Sequence, residues 1–180
     1  MSWLTDYRAD IQRYKEFDDL SGTREILSQQ GLWALLQYRI ARALYLSRLP
    51  SNVRNPLLAA MYAWRKIVEV ATGICLPYTA DLGPGLYVAH FGQIIVNKRT
   101  VMGVHCTIAQ GVTIGVSGRG ERRGVPTIGN NVYIGPSATV AGKITVGDNA
   151  MISANSLVLA DVPPGAVVRG VPAVAVGERD

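Results

Sequence analysis

The chain has 180 residues, of which 48% are hydrophobic, so it is long enough to bury one full core. Its charged share of 17% is below the roughly 25% that is typical of globular proteins, and its net charge is +5. Because no aromatic–basic motif accompanies this mild basic excess, composition argues against nucleic acid as a partner and leaves an anionic ligand or a membrane surface.

The cysteines and histidines are too few and too scattered to predict a metal site. Cys75 and Cys106 lack a CxxC spacing, and the chain has two histidines in all. We therefore expect two free thiols in a reducing compartment and no bound metal. The first fourteen residues are polar and have no apolar run, so we predict no signal peptide and a cytoplasmic protein.

The N-terminal part of the chain carries helical patterns. Residues 1–20 predict a short amphipathic helix, and residues 23–47 predict a second helix with one broad apolar face. After a turn, Asn55 is placed to cap a third helix whose first position is Pro56. Gly73 is expected to end that helix.

The second predicted helix also carries arginines. Arg39, Arg42 and Arg48 exclude a span across a bilayer but permit a helix that lies on a membrane surface. The alternative is that the helix packs against its neighbours and its arginines are solvated. We favour this packing interpretation over peripheral membrane contact.

A period of six residues replaces the helical pattern after Gly73. Helices have a period of 3.6 and simple strands a period of 2, whereas six fits a short strand plus a tight turn. Repeated many times, that unit predicts a parallel β-helix, and the alternative is a chance pattern in a chain rich in Val and Ile. The aliphatic positions are Leu76, Leu82, Val88, Ile94, Met102, Ile108, Ile114, Ile128, Ile134, Val140, Val146, Ile152 and Val158.

The period is interrupted twice. A slip of two residues separates Ile94 from Met102, and we expect its base at residues 97–100. A longer gap predicts a polar, basic, glycine-rich loop over residues 116–126. This loop is interpreted as a flap over a cleft, with arginines that bind a phosphate or carboxylate, although a flexible solvated excursion is the alternative.

The end of the coil is predicted from its prolines. Pro163 and Pro164 cannot donate to another strand ladder, so we expect the coil to close near Asp161. Residues 166–180 are expected to lie extended along the coil. The predicted organisation is thus a helical segment over residues 1–72 and a mainly β unit over residues 73–180.

The two histidines differ in their predicted surroundings. His90 shares a coil edge with the expected slip, and breaks in a regular scaffold are places where sites tend to be built. Histidine is also the usual base near neutral pH. His105 lies at a turn and is interpreted as a surface or packing residue.

Beyond these patterns, residues 73–173 resemble the serine acetyltransferase branch of the hexapeptide-repeat acyltransferases. The similarity rests on several short motifs together, which are specific for the fold and for the acetyl donor but less so for the acceptor. They are Gly85-Leu-Tyr-Val-Ala-His90, Gln110-Gly-Val-Thr-Ile-Gly115, Pro126-Thr-Ile-Gly129, Val132-Tyr-Ile-Gly135, Asp161-Val-Pro-Pro-Gly-Ala and Gly170-Val-Pro-Ala173. Outside this range, Leu36-Gln-Tyr-Arg-Ile-Ala41 resembles the last helices of that family's N-terminal domain.

The resemblance implies a left-handed parallel β-helix, a homotrimer with active sites between subunits, and acetyl-CoA as co-substrate. It implies that His90 is the general base and that a donor near Gly115 holds the oxyanion. It also implies that the pantetheine arm of acetyl-CoA meets the backbone near Gly135 and Ala154. Arg169 is then a candidate for binding the nucleotide phosphates.

Four positions depart from the family pattern. Cys75 stands where a carboxylate usually orients the histidine, and Ala89 stands where an acidic residue helps to hold the serine amine. Gly124 and Val125 replace an Arg-His pair that helps to hold the serine carboxylate. A site for a zwitterion that loses these partners is expected to lose its specificity.

These departures favour an acetyltransferase that acts on a sugar hydroxyl, in exopolysaccharide or capsule synthesis. Arg122 and Arg123 lie close to the altered pair and are the candidate acceptor-binding residues. Two alternatives stay open. One is a serine O-acetyltransferase of cysteine biosynthesis, and the other is a catalytically inactive β-helix that serves as a scaffold.

Overall fold

The computed structural model describes residues 2–18 and 22–179, except for the side chains of Thr23 and Arg122. Four α-helices come first, and none of the described helices combines the length and hydropathy that a bilayer span requires. They are α1 (Trp3–Asp18), α2 (Thr23–Ser28), α3 (Gln30–Leu46) and α4 (Ser51–Thr72).

Two helix boundaries differ from the prediction. The second predicted helix is divided at Gln29, whose extended backbone separates α2 from α3. The third helix begins at Ser51, so the predicted start at Asn55 and Pro56 is wrong, and Pro56 lies inside α4. Its end at Gly73 is confirmed, because Gly73 adopts the left-handed conformation with φ 68°.

The rest of the chain is a parallel β-helix, as the six-residue period predicts. Up to β13, each strand from β4 onward pairs in parallel with the strand three places earlier, so three sheets run along the coil. The first sheet contains β1 (Ile74–Cys75), β4 (Ile94–Val96), β7 (Thr113–Gly115), β10 (Thr139–Ala141) and β13 (Leu157–Val158). The second contains β2 (Asp81–Leu82), β5 (Val101–Met102), β8 (Thr127–Ile128) and β11 (Thr145–Val146). The third contains β3 (Tyr87–Val88), β6 (Thr107–Ile108), β9 (Tyr133–Ile134), β12 (Met151–Ile152), β14 (Ala166–Gly170) and β15 (Ala173–Glu178).

The aliphatic ladder forms the core of this coil, with one correction to its register. All thirteen predicted ladder residues are buried. However, the residue that pairs with Ile114 in the next coil is Val96, whereas Ile94 pairs with Ile74. The true ladder therefore runs from Val88 to Val96 and then to Met102.

This register moves the two-residue insertion. The step from Val88 to Val96 spans eight residues, whereas the step from Val96 to Met102 spans six. The extra residues therefore lie in the corner at residues 89–93, and the predicted position at residues 97–100 is wrong. His90 lies inside the interrupted corner rather than beside it.

The coil also ends later than predicted. β14 continues the third sheet in parallel with β12, with Val168 opposite Ile152, so Pro163 and Pro164 do not close the ladder. β15 then turns back and pairs with β14 in antiparallel orientation. The tail is thus extended along the coil, as expected, but it forms a hairpin. The division into units at residue 72 stays a prediction.

A buried ion pair attaches the helices to the coil. Arg39 is 4% exposed and Asp10 is fully buried, and the guanidinium donates to both carboxylate oxygens at 2.8 and 2.9 Å. Arg39 also donates to the carbonyls of Leu82 and Gly83, while the Leu86 N–H donates to Asp10. The interpretation of Arg39 as a solvated residue is therefore wrong.

Two buried tyrosines hold the same stretch of coil. The Tyr14 hydroxyl donates to the carbonyl of Val88 at 2.8 Å, two residues before His90. The Tyr38 hydroxyl donates to the carbonyl of Ala80 and accepts from the N–H of Leu82, both at 2.9 Å. Since α1 and α3 fix the backbone of β2 and β3, the helices set the position of the corner that carries His90.

Candidate functional site

The predicted base lies on one long edge of the coil, where the third sheet turns into the first. We call this the His90 edge and define it by the corners at residues 89–93, 109–111, 135–137 and 153–155. Backbone N–H groups of each corner donate to carbonyls of the corner before it. These bonds run from Gly111 to Gly92 at 3.0 Å, from Ser137 to Gln110 at 2.9 Å and from Asn155 to Pro136 at 2.8 Å.

The first corner of this edge is irregular and exposed. His90 and Phe91 are both exposed, and Gly92 and Gln93 have positive φ angles of 105° and 53°. Two successive left-handed residues turn the chain back into β4 after the insertion. The insertion thereby lifts the imidazole out of the packed ladder and into solvent, where a substrate can reach it.

A cavity of about 610 Å³ lies next to this corner, between the last turns of α4 and the first sheet. Its lining includes Gln93 from the His90 corner, Cys75 from β1 and Thr113 from β7. Helix α4 contributes Lys66 and Glu69, whose side chains form an ion pair at 3.1 Å. Sequence reasoning missed these two residues, because only the fold brings α4 beside the coil edge.

The thiol at position 75 is uncharged at neutral pH. Burial raises the pKa of Cys75, and the neighbouring Glu69 carboxylate, which accepts a hydrogen bond from the thiol, raises this pKa further. Cys75 therefore supplies no negative charge where the family pattern has a carboxylate. The carboxylate of Glu69 lies beside it instead.

The predicted flap leaves the coil at the opposite edge of the first sheet. Ser117 and Gly124 close its base with two backbone hydrogen bonds of 3.2 and 3.1 Å. A single 3-10 turn covers Gly120–Arg122, and the side chain of Arg123 is exposed. The side chain of Arg122 lies outside the described residues.

The predicted donor-binding residues divide between the two edges. Gly135 and Ala154 stack on the His90 edge, and the N–H of Gly135 donates to the carbonyl of Ile152 at 2.8 Å. Arg169 follows Val168 in β14 and is exposed near the end of this edge. Gly115 lies at the other edge, at the end of β7 where the flap begins.

A single chain therefore does not bring all the predicted site residues together. β7 runs from the His90 edge to the flap edge and spans roughly 10 Å, so Gly115 lies at the end of the first sheet that is away from the His90 edge. Of the predicted set, His90, Gly135, Ala154 and Arg169 share one edge. Gly115 and Arg123 lie on the flap side of the first sheet instead.

His105 is placed away from this edge. It lies at a corner between the second and third sheets, is exposed, and has a positive φ of 57°. Its carbonyl accepts a hydrogen bond from Arg13 at 3.3 Å. Across residues 2–18 and 22–179, no group of three or more His, Cys, Asp or Glu side chains is arranged to hold a metal ion.

Comparison with protein families and curated sequences gives consistent results. Residues 126–160 match the family model described as bacterial transferase hexapeptide (six repeats). The serine acetyltransferase of Synechococcus elongatus is 36% identical over 84% of this chain, which spans 59% of that enzyme's length. The serine acetyltransferase of Helicobacter pylori is 36% identical over 81% of this chain and 80% of its own length.

Solved structures give the same family. The serine acetyltransferase of Brucella abortus superposes with a TM-score of 0.82 and 31% identity over 99% of this chain and 70% of its own. The Neisseria gonorrhoeae enzyme, solved in complex with serine, superposes with a TM-score of 0.82 and 33% identity over 97% of this chain and 69% of its own. These matches confirm the left-handed parallel β-helix with an N-terminal helical region.

The relatives contradict the predicted sugar acceptor and the predicted role in exopolysaccharide synthesis, since they are named serine acetyltransferases. The four departures that favoured a sugar acceptor all lie in the coil and the flap. Charged side chains that α4 brings to the edge of the coil lie outside those motifs. By sequence and by structure, the chain belongs to the serine acetyltransferase family of the hexapeptide-repeat acyltransferases.

Proposed function

We propose that this protein transfers the acetyl group of acetyl-CoA to the side-chain hydroxyl of L-serine. The observation that carries the proposal is the match over 97% of the chain to the Neisseria gonorrhoeae serine acetyltransferase, whose structure was solved in complex with serine. The exposed position of His90 in an irregular corner adds a physical reason, because a general base must be reachable by its substrate.

His90 is the proposed general base. Its imidazole accepts the proton of the serine hydroxyl as that oxygen bonds to the thioester carbonyl carbon. When the carbon–sulfur bond breaks, the imidazolium returns the proton to the departing CoA sulfur. Backbone N–H groups near the reacting carbonyl stabilise the oxyanion between these steps, and the N–H near Gly115 is the proposed donor.

The His90 edge suits an extended donor molecule. Neighbouring coils are about 4.8 Å apart, so the three steps from the His90 corner to the Ala154 corner span about 14 Å. An extended pantetheine arm would follow this row, with backbone groups of Gly135 and Ala154 beside it. Arg169, one step further along the edge, is the proposed partner of the nucleotide phosphates.

The complete site is proposed to form between subunits of a homotrimer. One chain places His90 on one edge and Gly115 on the other, which supports a site whose flap comes from a neighbouring subunit. In this arrangement Gly115, Arg122 and Arg123 of one subunit lie across the groove from His90 of the next. Arg122 and Arg123 are proposed to bind the carboxylate or phosphate groups of the substrates.

An assay of CoA release tests the proposal. Purified protein is mixed with acetyl-CoA and L-serine, and release of free CoA is followed with a thiol reagent. We expect turnover with L-serine, and a loss of about 10²–10⁴-fold in His90→Ala. His105→Ala is the matched control and should retain the wild-type rate. Absence of serine turnover, or full activity of His90→Ala, would refute the proposed function.

A further inference from the structure

The cavity beside the His90 corner contains two opposite charges on an otherwise largely uncharged wall. Among the residues that line it, Lys66 and Glu69 are the charged ones, and the rest include Val70, Ile94 and Ile95. Both charges come from the C-terminal turns of α4 and face the first sheet of the coil. The volume of about 610 Å³ is ample for a small polar molecule.

The ion pair between these residues is open to exchange with a ligand. The Lys66 side chain is 50% exposed and that of Glu69 is 28% exposed, at a separation of 3.1 Å. Exposed pairs three residues apart on a helix contribute little to stability, because water solvates the separated charges well. A ligand with its own ammonium and carboxylate can therefore replace each partner without a large loss of protein stability.

The cavity is tied to the corner that carries the proposed base. Gln93, the last residue of that corner, lines the cavity, and the carbonyl of Gly92 accepts a hydrogen bond from Gly111, which also lines the cavity. The N–H of Ile94 donates to the carbonyl of Gly73 at the end of α4. Backbone hydrogen bonds thus connect the end of α4 and the residues that line the cavity to the His90 corner.

We propose that Glu69 and Lys66 hold the ammonium and the carboxylate of the amino-acid acceptor, so that α4 determines specificity for a zwitterion. This inference rests on the proposed function and names the residues that select its acceptor. Charge-assisted hydrogen bonds from both ends of the amino acid fix its orientation in a cavity that Gln93 of the His90 corner lines. A sugar has no groups that complement these two charges.

The test measures steady-state kinetics of Glu69→Gln and Lys66→Gln with L-serine. Each variant should raise the serine KM by roughly tenfold, because a charged partner is lost from a partly exposed site. The acetyl-CoA KM should stay within about twofold of wild type, since the donor lies along a different part of the edge. Lys15→Gln and Glu16→Gln on α1 are matched controls that remove the same charges elsewhere on the surface.

Acceptor analogues assign each charge to its partner. Ethanolamine lacks the carboxylate of serine, so Lys66→Gln should reduce the preference for serine over ethanolamine by about tenfold. 3-Hydroxypropionate lacks the ammonium, so Glu69→Gln should reduce the preference for serine over it in the same way. A thermal melt of each variant checks that the fold is intact.

The outcomes separate this inference from the proposed function. If the wild-type protein acetylates serine and both variants keep the serine KM of the α1 controls, the inference is wrong and the proposed function stands. If the wild-type protein does not acetylate serine, both fail together.

Discussion

Replacing Asp10 by alanine is expected to destabilise the whole protein strongly. The substitution leaves the Arg39 guanidinium, 4% exposed, without its counter-charge, and it removes the acceptor of the Leu86 N–H. Breaking a buried pair by removing one partner costs about 3–5 kcal/mol. For a chain of this length such a loss lowers the melting temperature by roughly 6–20 °C. It is a large part of a total stability of about 5–15 kcal/mol.

Thermal and denaturant unfolding of three variants measure this effect. Glu16→Ala removes an exposed carboxylate whose distance to Arg13 is 3.8 Å, and it should change the free energy of unfolding by less than about 1 kcal/mol. The double variant Asp10→Ala/Arg39→Leu should recover much of the loss, because no buried charge remains unpaired. If Asp10→Ala and Glu16→Ala had the same melting temperature, the buried pair would not be the contact that attaches the helices to the coil.

Three further changes have expected outcomes. Gly135→Ala should lower the melting temperature while Gly177→Ala should not, since an added methyl at Gly135 would lie 2.7 Å from the backbone nitrogen of Ala154, whereas the one at Gly177 meets no atom within 4 Å. Burial raises the pKa of Cys106 to about 11, because the folded protein favours the neutral thiol over the thiolate. The stability that the neutral thiol contributes is complete below the ordinary thiol pKa and is lost as the pH rises towards 11. Denaturant titrations from pH 8 to pH 11 should therefore show that the free energy of unfolding falls by roughly 2–3 kcal/mol more in the wild-type protein than in Cys106→Ala. An equal fall in the two proteins would contradict this. Arg123→Ala should raise the KM of L-serine or of acetyl-CoA more than it lowers kcat. A fall in kcat with both KM values unchanged would exclude a binding role for the flap.

The sequence predicts the coil well because its core has a strict local period. Each ladder residue is buried by its neighbours one coil away, so the same chemical requirement recurs every six positions. The insertion was misplaced for a local reason as well. Ile94 and Val96 are both aliphatic and both buried, and the period alone does not say which of them continues the ladder.

The contacts between the helices and the coil were not predictable in the same way. Asp10 and Arg39 are separated by 29 residues, and their pairing depends on how α1 and α3 cross. The wall formed by Lys66 and Glu69 likewise depends on where α4 meets the coil. The predicted start of α4 failed because an Asn-Pro pair is typical of a helix start, while the helix had already begun at Ser51.

The antiparallel pairing of β15 with β14 has a consequence for the assembly of the coil. A parallel solenoid leaves unpaired N–H and C=O groups at its last turn, and such a surface invites another solenoid to stack on it. β15 occupies the free side of β14 with a strand of the opposite direction. Another solenoid therefore cannot extend the third sheet by parallel pairing with β14, because that side of β14 is already hydrogen-bonded to β15.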